Sequence, residues 1–324
     1  MPVFEDPIKR IERLLSKQEP FLAASFLRMV RQIESSFTLS EIANLLERNE
    51  LLSAFDEALK TSALLGQSYS AAFFVAANDT ARFLNQTLEE VFVVFDQTNY
   101  GAVNAMSRNQ LRLVRGFSEI QRETTRLAIT EGIASGENPR DMARRFRRSI
   151  GLTPRQYRAV ENYRKALQTL SPEALSRMLR DRRFDPAIAR AMRTEDPLTP
   201  QQIDKMTNRY RDRYVKYRSE VIARTEAQRS VNEGVRNMYE QAIEAGELDA
   251  QDLTQEWNTA LDERVRSSHA KMHGQIRAFG VPFTSGLGNA LRFPCDPEAP
   301  AADAIQCRCA VGTRMSLLPK ATLT

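Results

Sequence analysis

Apolar residues recur at helical spacing through most of the first 230 positions. The stretch TLSEIANLLERNELLSAFDEALK places Ile42, Leu45 and Phe55 where one face of a helix would bury them. Thr38 stands three residues before Glu41, which is the spacing of a capping box, in which each side chain bonds the other residue's backbone N–H. The pattern therefore predicts a helix that begins at this threonine.

Four further helix starts pair a capping residue with a proline at the first helical position, where the missing N–H is not needed. They are Asn138–Pro139, Thr153–Pro154, Ser171–Pro172 and Thr199–Pro200. Gln156 and Gln202 complete capping boxes at two of these starts. This part of the chain is therefore predicted to be mostly α-helical.

The glycine distribution changes towards the C-terminus. No glycine lies between Gly151 and Gly234, whereas five of the thirteen glycines fall within residues 274–312. A glycine-rich and proline-rich segment favours turns and short strands. The predicted fold class is mainly α, with an extended helical N-terminal region followed by a small α+β C-terminal module.

This change divides the chain into three predicted ranges. They are a helical region at 1–197, the C-terminal module at 198–313 and a loose tail at 314–324. The helical pattern stops at MRTEDPLTP, residues 192–200, so this stretch is the predicted linker.

A predicted helix near residues 139–150 separates apolar from basic side chains. Met142, Phe146 and Ile150 share one face, because spacings of four drift slowly around a helix. The opposite face holds four arginines: Arg144, Arg145, Arg147 and Arg148. Since only Asp141 is nearby, these guanidinium groups are expected to face solvent or to meet phosphate or an acidic protein surface.

A second helix, in NRYRDRYVKYRSEV, repeats this arrangement. Its predicted buried stripe is Ile203, Met206, Tyr210, Tyr214, Tyr217 and Val221. Its predicted outer face is Arg209, Arg211, Arg213, Lys216 and Arg218. Interleaved arginine and tyrosine can also bind single-stranded nucleic acid by stacking, and the spacing leaves that alternative open.

Positive charge is concentrated in the same part of the chain. Residues 140–230 contain 23 Lys and Arg against 11 Asp and Glu, whereas the whole chain has a net charge of +5. Such a block indicates a polyanionic or acidic partner, or a solvated face. The longest apolar stretch, YSAAFFVAA, is much shorter than the ~18–20 residues of a membrane span, so no membrane partner is predicted.

The stretch WNTALDERVRSSHAKMHGQ contains the only tryptophan and both histidines. On a helix, Asp262, Arg266 and His269 would share one side, with an i,i+4 ion pair between the first two. One alternative is therefore an enzyme, a nuclease or transferase, that uses these three residues. The favoured interpretation is structural, because a single histidine beside a carboxylate is more often a hydrogen-bonded core residue.

A metal site is a second alternative. His269 and His273 are spaced i,i+4, and Cys307 and Cys309 could complete a set of four ligands for zinc. Against it, Ala270 stands where zinc proteases need glutamate, and a single residue separates the two cysteines, where zinc knuckles usually have two or more. With no phosphate loop or catalytic-triad spacing elsewhere, no metal, no other cofactor and no catalytic residue is predicted.

Four motifs near the C-terminus occur in an order typical of one family. EVIARTEAQRSVNEGVRNMYEQA is followed by the tryptophan stretch, then by PFTSG and LRFPCDPEAPAADAIQCRC. In this order the chain resembles the Mu-F-like phage head morphogenesis family of minor head proteins. The matching positions are Arg224, Thr225, Glu226, Trp257, Thr259, Asp262, Arg266, His269, Gly274, Pro294, Asp296, Pro297, Cys307, Arg308 and Cys309. The chain departs from the pattern at His273, where an acidic residue is expected, and at Cys295, where a small residue is usual.

The resemblance implies a non-enzymatic virion protein of a tailed bacteriophage, present in several copies inside the capsid near the portal. Residues 1–197 would dock on the portal or inner capsid, and His269, Cys307 and Cys309 would hold the small module together. Synthesis in the host bacterial cytoplasm agrees with the odd number of cysteines, which does not suit a secreted disulfide framework.

The implied role is in head assembly and in DNA packaging or ejection. The implied partners are the portal protein, the major capsid or scaffold proteins, and packaged double-stranded DNA. DNA would meet the basic helices through its phosphates and therefore without sequence preference. A portal adaptor or internal scaffold with no DNA contact remains as an alternative.

Overall fold

A computed structural model of the chain describes residues 6–88 and 91–315, and 68% of the chain is helical against 6% in strands. The helices are α1 Pro7–Ser35, α2 Leu39–Glu47, α3 Leu51–Ala58, α4 Ala63–Thr87, α5 Tyr100–Ala134, α6 Pro139–Ser149, α7 Pro154–Gln168, α8 Glu173–Ser176, α9 Asp185–Thr194, α10 Pro200–Glu244, α11 Ser267–Ala270 and α12 Ala301–Ala304. The strands are β1 Leu253–Asn258, β2 Ile276–Ala278, β3 Phe283–Thr284, β4 Ala290–Leu291 and β5 Ala310–Met315. The predicted fold class is confirmed.

Four of the five predicted helix starts are confirmed, and at the fifth the helix begins at Glu173, one residue later than predicted. Thr38 and Thr153 form capping boxes with Glu41 and Gln156, and Thr199 exchanges the same two bonds with Gln202. At Ser171 the hydroxyl accepts a bond from the backbone of Glu173, but α8 is a single turn of four residues. No helix in the described part of the chain has the length and apolar character that crossing a membrane requires.

The structure divides into two compact units, each built from separate stretches of chain. Unit 1 comprises Met1–Ala23, Leu65–Arg112 and Val221–Thr324, and unit 2 comprises Ala24–Leu64 and Leu113–Glu220. The ranges 1–197 and 198–313 stay predictions. Most of the predicted tail, from residue 316 onwards, lies outside the described residues.

Aromatic rings form the centre of unit 2. Phe146 of α6 is fully buried and meets Phe55 edge-on, with ring centroids 5.1 Å apart. Such pairs contribute about 0.5–1.5 kcal/mol beyond the area they bury. Just after α6, Gly151 has φ +82°, and a Cβ there would lie 3.0 Å from Val30. This packing holds one face of α6 inward and so decides which of its arginines reach solvent.

In unit 1, parts of α4 and α10 approach each other at a glycine. A Cβ on Gly234 would lie 2.4 Å from the carbonyl oxygen of Phe73. Phe73, Met238 and Leu253 belong to one buried apolar cluster, which joins these helices to β1. Glycine is therefore required here by the closeness of two backbones.

The small sheet of unit 1 has strand order β2-β1-β5, and both pairings are antiparallel. Leu253, Gln255 and Trp257 alternate as the buried residues of β1, which is the period of a strand with one covered face. The Trp257 side chain is fully buried and packs against Phe283 of β3, with ring centroids 5.3 Å apart. The predicted α+β module therefore has its own small core.

Candidate functional site

Two of the four α6 arginines turn inward. The Arg145 Nε donates to Glu137 at 2.9 Å and its Nη1 donates to the Tyr157 hydroxyl at 2.8 Å. The Arg148 Nε donates to Glu161 at 2.9 Å, and that carboxylate also lies 3.5 Å from Arg145. The expectation that all four face solvent or a partner was wrong. Carboxylates before α6 and on α7 reach them, although the sequence places only Asp141 within the same helix.

The outward side of α6 carries Arg140, Arg144 and Arg147. Spacings of four and three place them on one side of the helix. Arg144 is partly exposed and pairs with Asp141 at 2.7 Å, whereas Arg140 and Arg147 are exposed and have no charged partner among the described residues. We call these three residues the α6 arginine side. The sequence interpretation missed Arg140, although its helical spacing was visible.

The predicted stripe on α10 is correct only in its first half. Ile203, Met206 and Tyr210 are buried, but Tyr217 is 45% exposed. Tyr210 packs on the Tyr163 ring, with the ring centroids 4.4 Å apart, so its ring stacks inside the protein and not on a nucleic-acid base. Further along, Val215 and Arg218 are buried instead. Helix α10 has neighbours on more than one side there, which the 3-4 spacing of tyrosines does not reveal.

Two residues of the predicted outer face of α10 are buried. Arg211 pairs with Glu34 and donates to the Ile150 carbonyl. Arg218 donates to the Gly151 carbonyl at 2.9 Å, and its guanidinium lies 5.4 Å from the centre of the Phe117 ring. Burial lowers the pKa of Arg218 to about 10. Both arginines therefore stabilise unit 2 and do not offer charge to a partner.

The remaining α10 cations have carboxylate partners nearby. Arg209 and Arg213 lie 3.3 Å and 3.5 Å from Asp181, which also pairs with Arg183 at 2.6 Å. Lys216 is exposed and lies 3.9 Å from Glu220. Hydrogen bonds from Arg183 lower the pKa of Asp181 well below its usual range, against an opposing effect of burial.

Replacing Asp181 by asparagine is expected to lower the stability of the fold at neutral pH. The loss of stability on acidification should also be smaller in the variant than in wild type. A carboxyl whose pKa is lowered by folding stabilises the fold above its unfolded pKa of about 3.9, and that contribution is lost as pH falls through the folded-state pKa. Thermal unfolding measured from neutral pH to about pH 2 tests this. Asp196→Asn removes the same charge from an exposed position and is the control. Parallel acid declines in wild type and Asp181→Asn would contradict the prediction.

The tryptophan stretch is not one helix. Residues 259–266 are irregular, and α11 has only four residues. Asp262 pairs with Arg308 at 2.6 Å and not with Arg266, whose guanidinium donates to the Asp303 carbonyl at 3.0 Å. A hydrogen bond from Arg308 lowers the pKa of Asp262. The predicted ion pair was wrong, and Asp262, Arg266 and His269 are each engaged with different groups.

The proposed histidine pair does not form either. His273 is exposed, and its Nδ1 accepts a bond from the backbone of Thr259 at 3.2 Å. α11 ends at Ala270, so the i,i+4 geometry that would bring His273 beside His269 is absent. His273 lies outside the group of possible metal ligands that the described residues contain.

His269 instead meets the two C-terminal cysteines. Its Nδ1 lies 3.3 Å from the Cys307 sulfur and 3.5 Å from the Cys309 sulfur, and all three side chains are buried. Cys295 is also fully buried, and its thiol neighbours that of Cys307. Burial raises the pKa of Cys295, whereas at Cys307 the effect of burial is outweighed by hydrogen bonds from Cys295 and Cys309, which lower its pKa. We call these four residues the Cys–His cluster.

A buried carboxylate, Asp303, lies behind the histidine. It accepts bonds from the Ser268 and Ser285 hydroxyls at 2.9 and 2.8 Å and from the Asn289 amide at 2.8 Å. One of its oxygens is 3.5 Å from the His269 Nε2. Burial raises the pKa of Asp303, but these hydrogen bonds outweigh it and lower the pKa. The sequence interpretation missed Asp303, because in PAADA it resembles an ordinary surface residue.

The first family motif holds the cysteine segment in place. The Thr225 hydroxyl accepts a bond from the backbone of Gln306 at 3.1 Å. Two neighbouring α10 residues that were not singled out, Gln228 and Arg229, donate to the Cys309 and Cys295 carbonyls at 2.6 and 2.9 Å. Glu226 in turn pairs with Arg229. The helix motif and the Cys-Arg-Cys motif therefore form one hydrogen-bonded unit.

The other motif residues complete the same module. Arg224 pairs with Glu19 at 3.1 Å. Gly274 has φ +75°, and its N–H donates to the Trp257 carbonyl at 2.9 Å, so it makes the turn that leads into β2. Asp296 accepts two bonds from the Arg292 side chain, and the Asn232 amide donates to the Pro294 carbonyl. These contacts stabilise the fold of the module.

Comparison with known proteins gives one match. Residues 199–312 match the family model described as "Phage Mu protein F like protein". Neither the curated proteins nor the solved structures contain a match to the chain. The matched range includes α10 and the whole Cys–His cluster. Residues 199–312 of the chain are therefore similar to the phage Mu protein F-like family.

Proposed function

We propose that this chain is a minor head protein of a tailed bacteriophage, made in the host cytoplasm and present in several copies inside the capsid near the portal. It acts in head assembly and in DNA packaging or ejection. The family match to residues 199–312 carries the first part of this proposal. The portal, the capsid or scaffold proteins and the packaged DNA are its proposed partners.

We further propose that unit 2 binds double-stranded DNA through the α6 arginine side. The supporting observation is that two of these three cations are exposed without a carboxylate partner in the described structure. The same unit has further exposed arginines: Arg155, Arg182, Arg190 and Arg193. Of the nine cations proposed from the sequence, Arg145, Arg148, Arg211 and Arg218 are excluded from this role by their burial and internal contacts.

Binding of this kind is electrostatic. Guanidinium groups that neutralise phosphates release condensed counterions, so affinity falls steeply with salt and shows little dependence on base sequence. Each phosphate contact contributes about 0.9 to the slope of log affinity against log salt concentration. The number of contacts made by α6 can therefore be measured.

Replacing Arg140, Arg144 and Arg147 together by glutamine is expected to reduce that slope by about 2 to 3 and to weaken binding equally for unrelated DNA sequences. The control variant replaces Lys9, Lys17 and Arg264, which are exposed in unit 1, and removes the same charge. Fluorescence anisotropy with duplex DNA over a range of salt concentrations measures both. An unchanged slope in the α6 variant would remove this surface from the proposal.

The adaptor alternative predicts a different outcome. If the α6 variant loses salt-sensitive binding to purified portal while DNA binding keeps its slope, the surface contacts protein and not DNA. Cryo-electron microscopy of the virion, with symmetry relaxed around the portal vertex, tests the location. Density for this chain against the portal supports the proposal, and its absence from mature particles would contradict it.

A further inference from the structure

Three side chains of metal-ligand type converge inside the small module of unit 1. The Nδ1 of His269 and the sulfurs of Cys307 and Cys309 all lie within 4.8 Å of one another. All three residues are 2% exposed, so the cluster is closed to bulk solvent. His269 lies in α11. Cys307 and Cys309 lie 38 and 40 residues later, in the segment that leads into β5.

We propose that His269, Cys307 and Cys309 bind a structural zinc ion, with the Cys295 thiol as the fourth ligand. This set differs from the one considered from the sequence, because His273 lies elsewhere. The Cys295 sulfur neighbours Cys307 but lies outside the group of atoms within 4.8 Å of one another, so Cys295 must turn towards the ion to complete the set.

The distances agree with tetrahedral zinc. Zinc–sulfur bonds of ~2.3 Å and zinc–nitrogen bonds of ~2.0–2.1 Å at tetrahedral angles require sulfur and nitrogen ligands about 3.6 Å apart. The two measured nitrogen–sulfur distances are 3.3 and 3.5 Å. Thiolate and imidazole ligands together favour zinc over magnesium or calcium, which prefer oxygen.

The surroundings of the histidine are those of a metal ligand. A histidine that binds a metal through one ring nitrogen usually donates its other N–H to a carboxylate, which sets the tautomer and the ring orientation. Asp303 lies 3.5 Å from Nε2, on the opposite side of the ring from the cysteines. Three hydrogen bonds, from Ser268, Ser285 and Asn289, hold that carboxylate in place. A proton on Nε2, which faces Asp303 without a hydrogen bond, would leave the Nδ1 lone pair directed at the two sulfurs.

The backbone supports the thiolates. The N–H of Cys309 points to the Cys307 sulfur at 3.5 Å, a contact that stabilises a negatively charged sulfur. The single-residue spacing, which counted against a zinc knuckle, is accommodated because both sulfurs face the same histidine.

Cys295 has an unfavourable backbone conformation. Its φ is +63°, in the left-handed region that disfavours residues with a Cβ, yet the residue is fully buried. Such strain persists where the surrounding structure holds the residue in place. Its thiol neighbours that of Cys307, and its carbonyl accepts a bond from Arg229, so a third segment of chain borders the cluster.

A closed site of this kind is structural and not catalytic. Four protein ligands leave no position for water or substrate. The ion would join α11, the turn at residue 295 and the start of β5, in a module whose strands have only two to six residues. Metal binding would supply stability that so small a core lacks.

The first test measures metal in the full chain, expressed without a histidine tag. Elemental analysis should find one zinc ion per chain in wild type and in His273→Ala, which is the control because His273 lies outside the cluster. Cys307→Ser with Cys309→Ser should retain essentially none. Removal of zinc from wild type by a chelator should lower the Tm, and added zinc should restore it. Wild type without zinc, or with Cys295 or Cys309 joined to Cys307 in a disulfide by mass spectrometry, would overturn the proposal.

The second test counts thiolates. Cobalt(II) substituted for zinc gives thiolate-to-metal charge-transfer absorption whose intensity scales with the number of sulfurs. Cys295→Ala should reduce that intensity by about a third while one ion per chain is retained, and an unchanged spectrum would exclude Cys295 as a ligand. Asp303→Asn should weaken zinc binding about 10–100-fold in competition with a chromophoric chelator, because the carboxylate orients the histidine. Unchanged affinity in that variant would contradict the positioning role.

Discussion

Replacing Arg145 by glutamine is expected to lower the free energy of unfolding by about 2–4 kcal/mol, because partly buried Glu137 loses its guanidinium partner and Glu161 keeps only Arg148. Arg145 is 12% exposed, and Glu137 and Glu161 are 23% and 13% exposed. Hydrogen bonds that Arg145 donates to Glu137 raise the pKa of Arg145, so the guanidinium is held charged. The range stays below the largest values for buried ion pairs because part of the network meets water.

Arg147→Gln is the matched control for this variant. It lies two residues away on the same helix, is exposed, and should change stability by no more than about 0.5 kcal/mol. Urea denaturation followed by circular dichroism compares the two variants with wild type. Equal stability of Arg145→Gln and Arg147→Gln would contradict the inward assignment of Arg145. This comparison also explains why Arg145 is left out of the DNA-binding variant. A variant that unfolds unit 2 would lose DNA binding whether or not the replaced residue contacts DNA.

Replacing Gly234 by alanine is expected to destabilise unit 1 by about 3 kcal/mol. The added Cβ would lie 2.4 Å from the Phe73 carbonyl oxygen and 3.2 Å from the backbone nitrogen of Ala77. Both are backbone atoms, which cannot rotate away as a side chain can, so α4 and α10 must separate. That movement would open the cluster that contains Phe73 and Met238.

Gly116→Ala, in another helix of the same chain, is expected to have the opposite effect on stability. Gly116 lies within α5, and a Cβ added there would have no described atom within 4 Å beyond its own stretch of helix. Alanine should stabilise that helix by up to ~1 kcal/mol, since it reduces the backbone entropy lost on folding. Thermal or urea unfolding should therefore shift in opposite directions for the two variants. A Gly234→Ala protein as stable as wild type would show that the helices do not approach as closely as described.

Gly234 lies on the same helix as the residues that hold the cysteine segment. Helix α10 contributes both Gly234, which packs on α4, and the Thr225 to Arg229 stretch, which holds the cysteine segment. Loss of the close helix contact should therefore also loosen the Cys–His cluster. Reactivity of the buried cysteines towards a thiol reagent should rise in Gly234→Ala and stay unchanged in Gly116→Ala.

The sequence alone determined the features that depend on neighbours in the chain. Helix starts at Thr38, Asn138, Thr153 and Thr199 were predictable because a cap satisfies N–H groups within the next three residues. The change from helix to short strands followed from glycine and proline, which act on their own backbone. The ordered motifs likewise predicted the similarity of residues 199–312 to the phage Mu protein F-like family without any contact being known.

The partners and the burial of the charged side chains depend on the tertiary structure. Arg145 and Arg211 look like surface residues until Glu137 and Glu34 are brought beside them, and Glu34 is 177 residues from its partner. Local spacing also misassigned Asp262, whose partner Arg308 is 46 residues away. The Cys–His cluster combines residues 269, 295, 307 and 309 for the same reason. Charge and ligation act through space, so their partners emerge only when distant segments pack together.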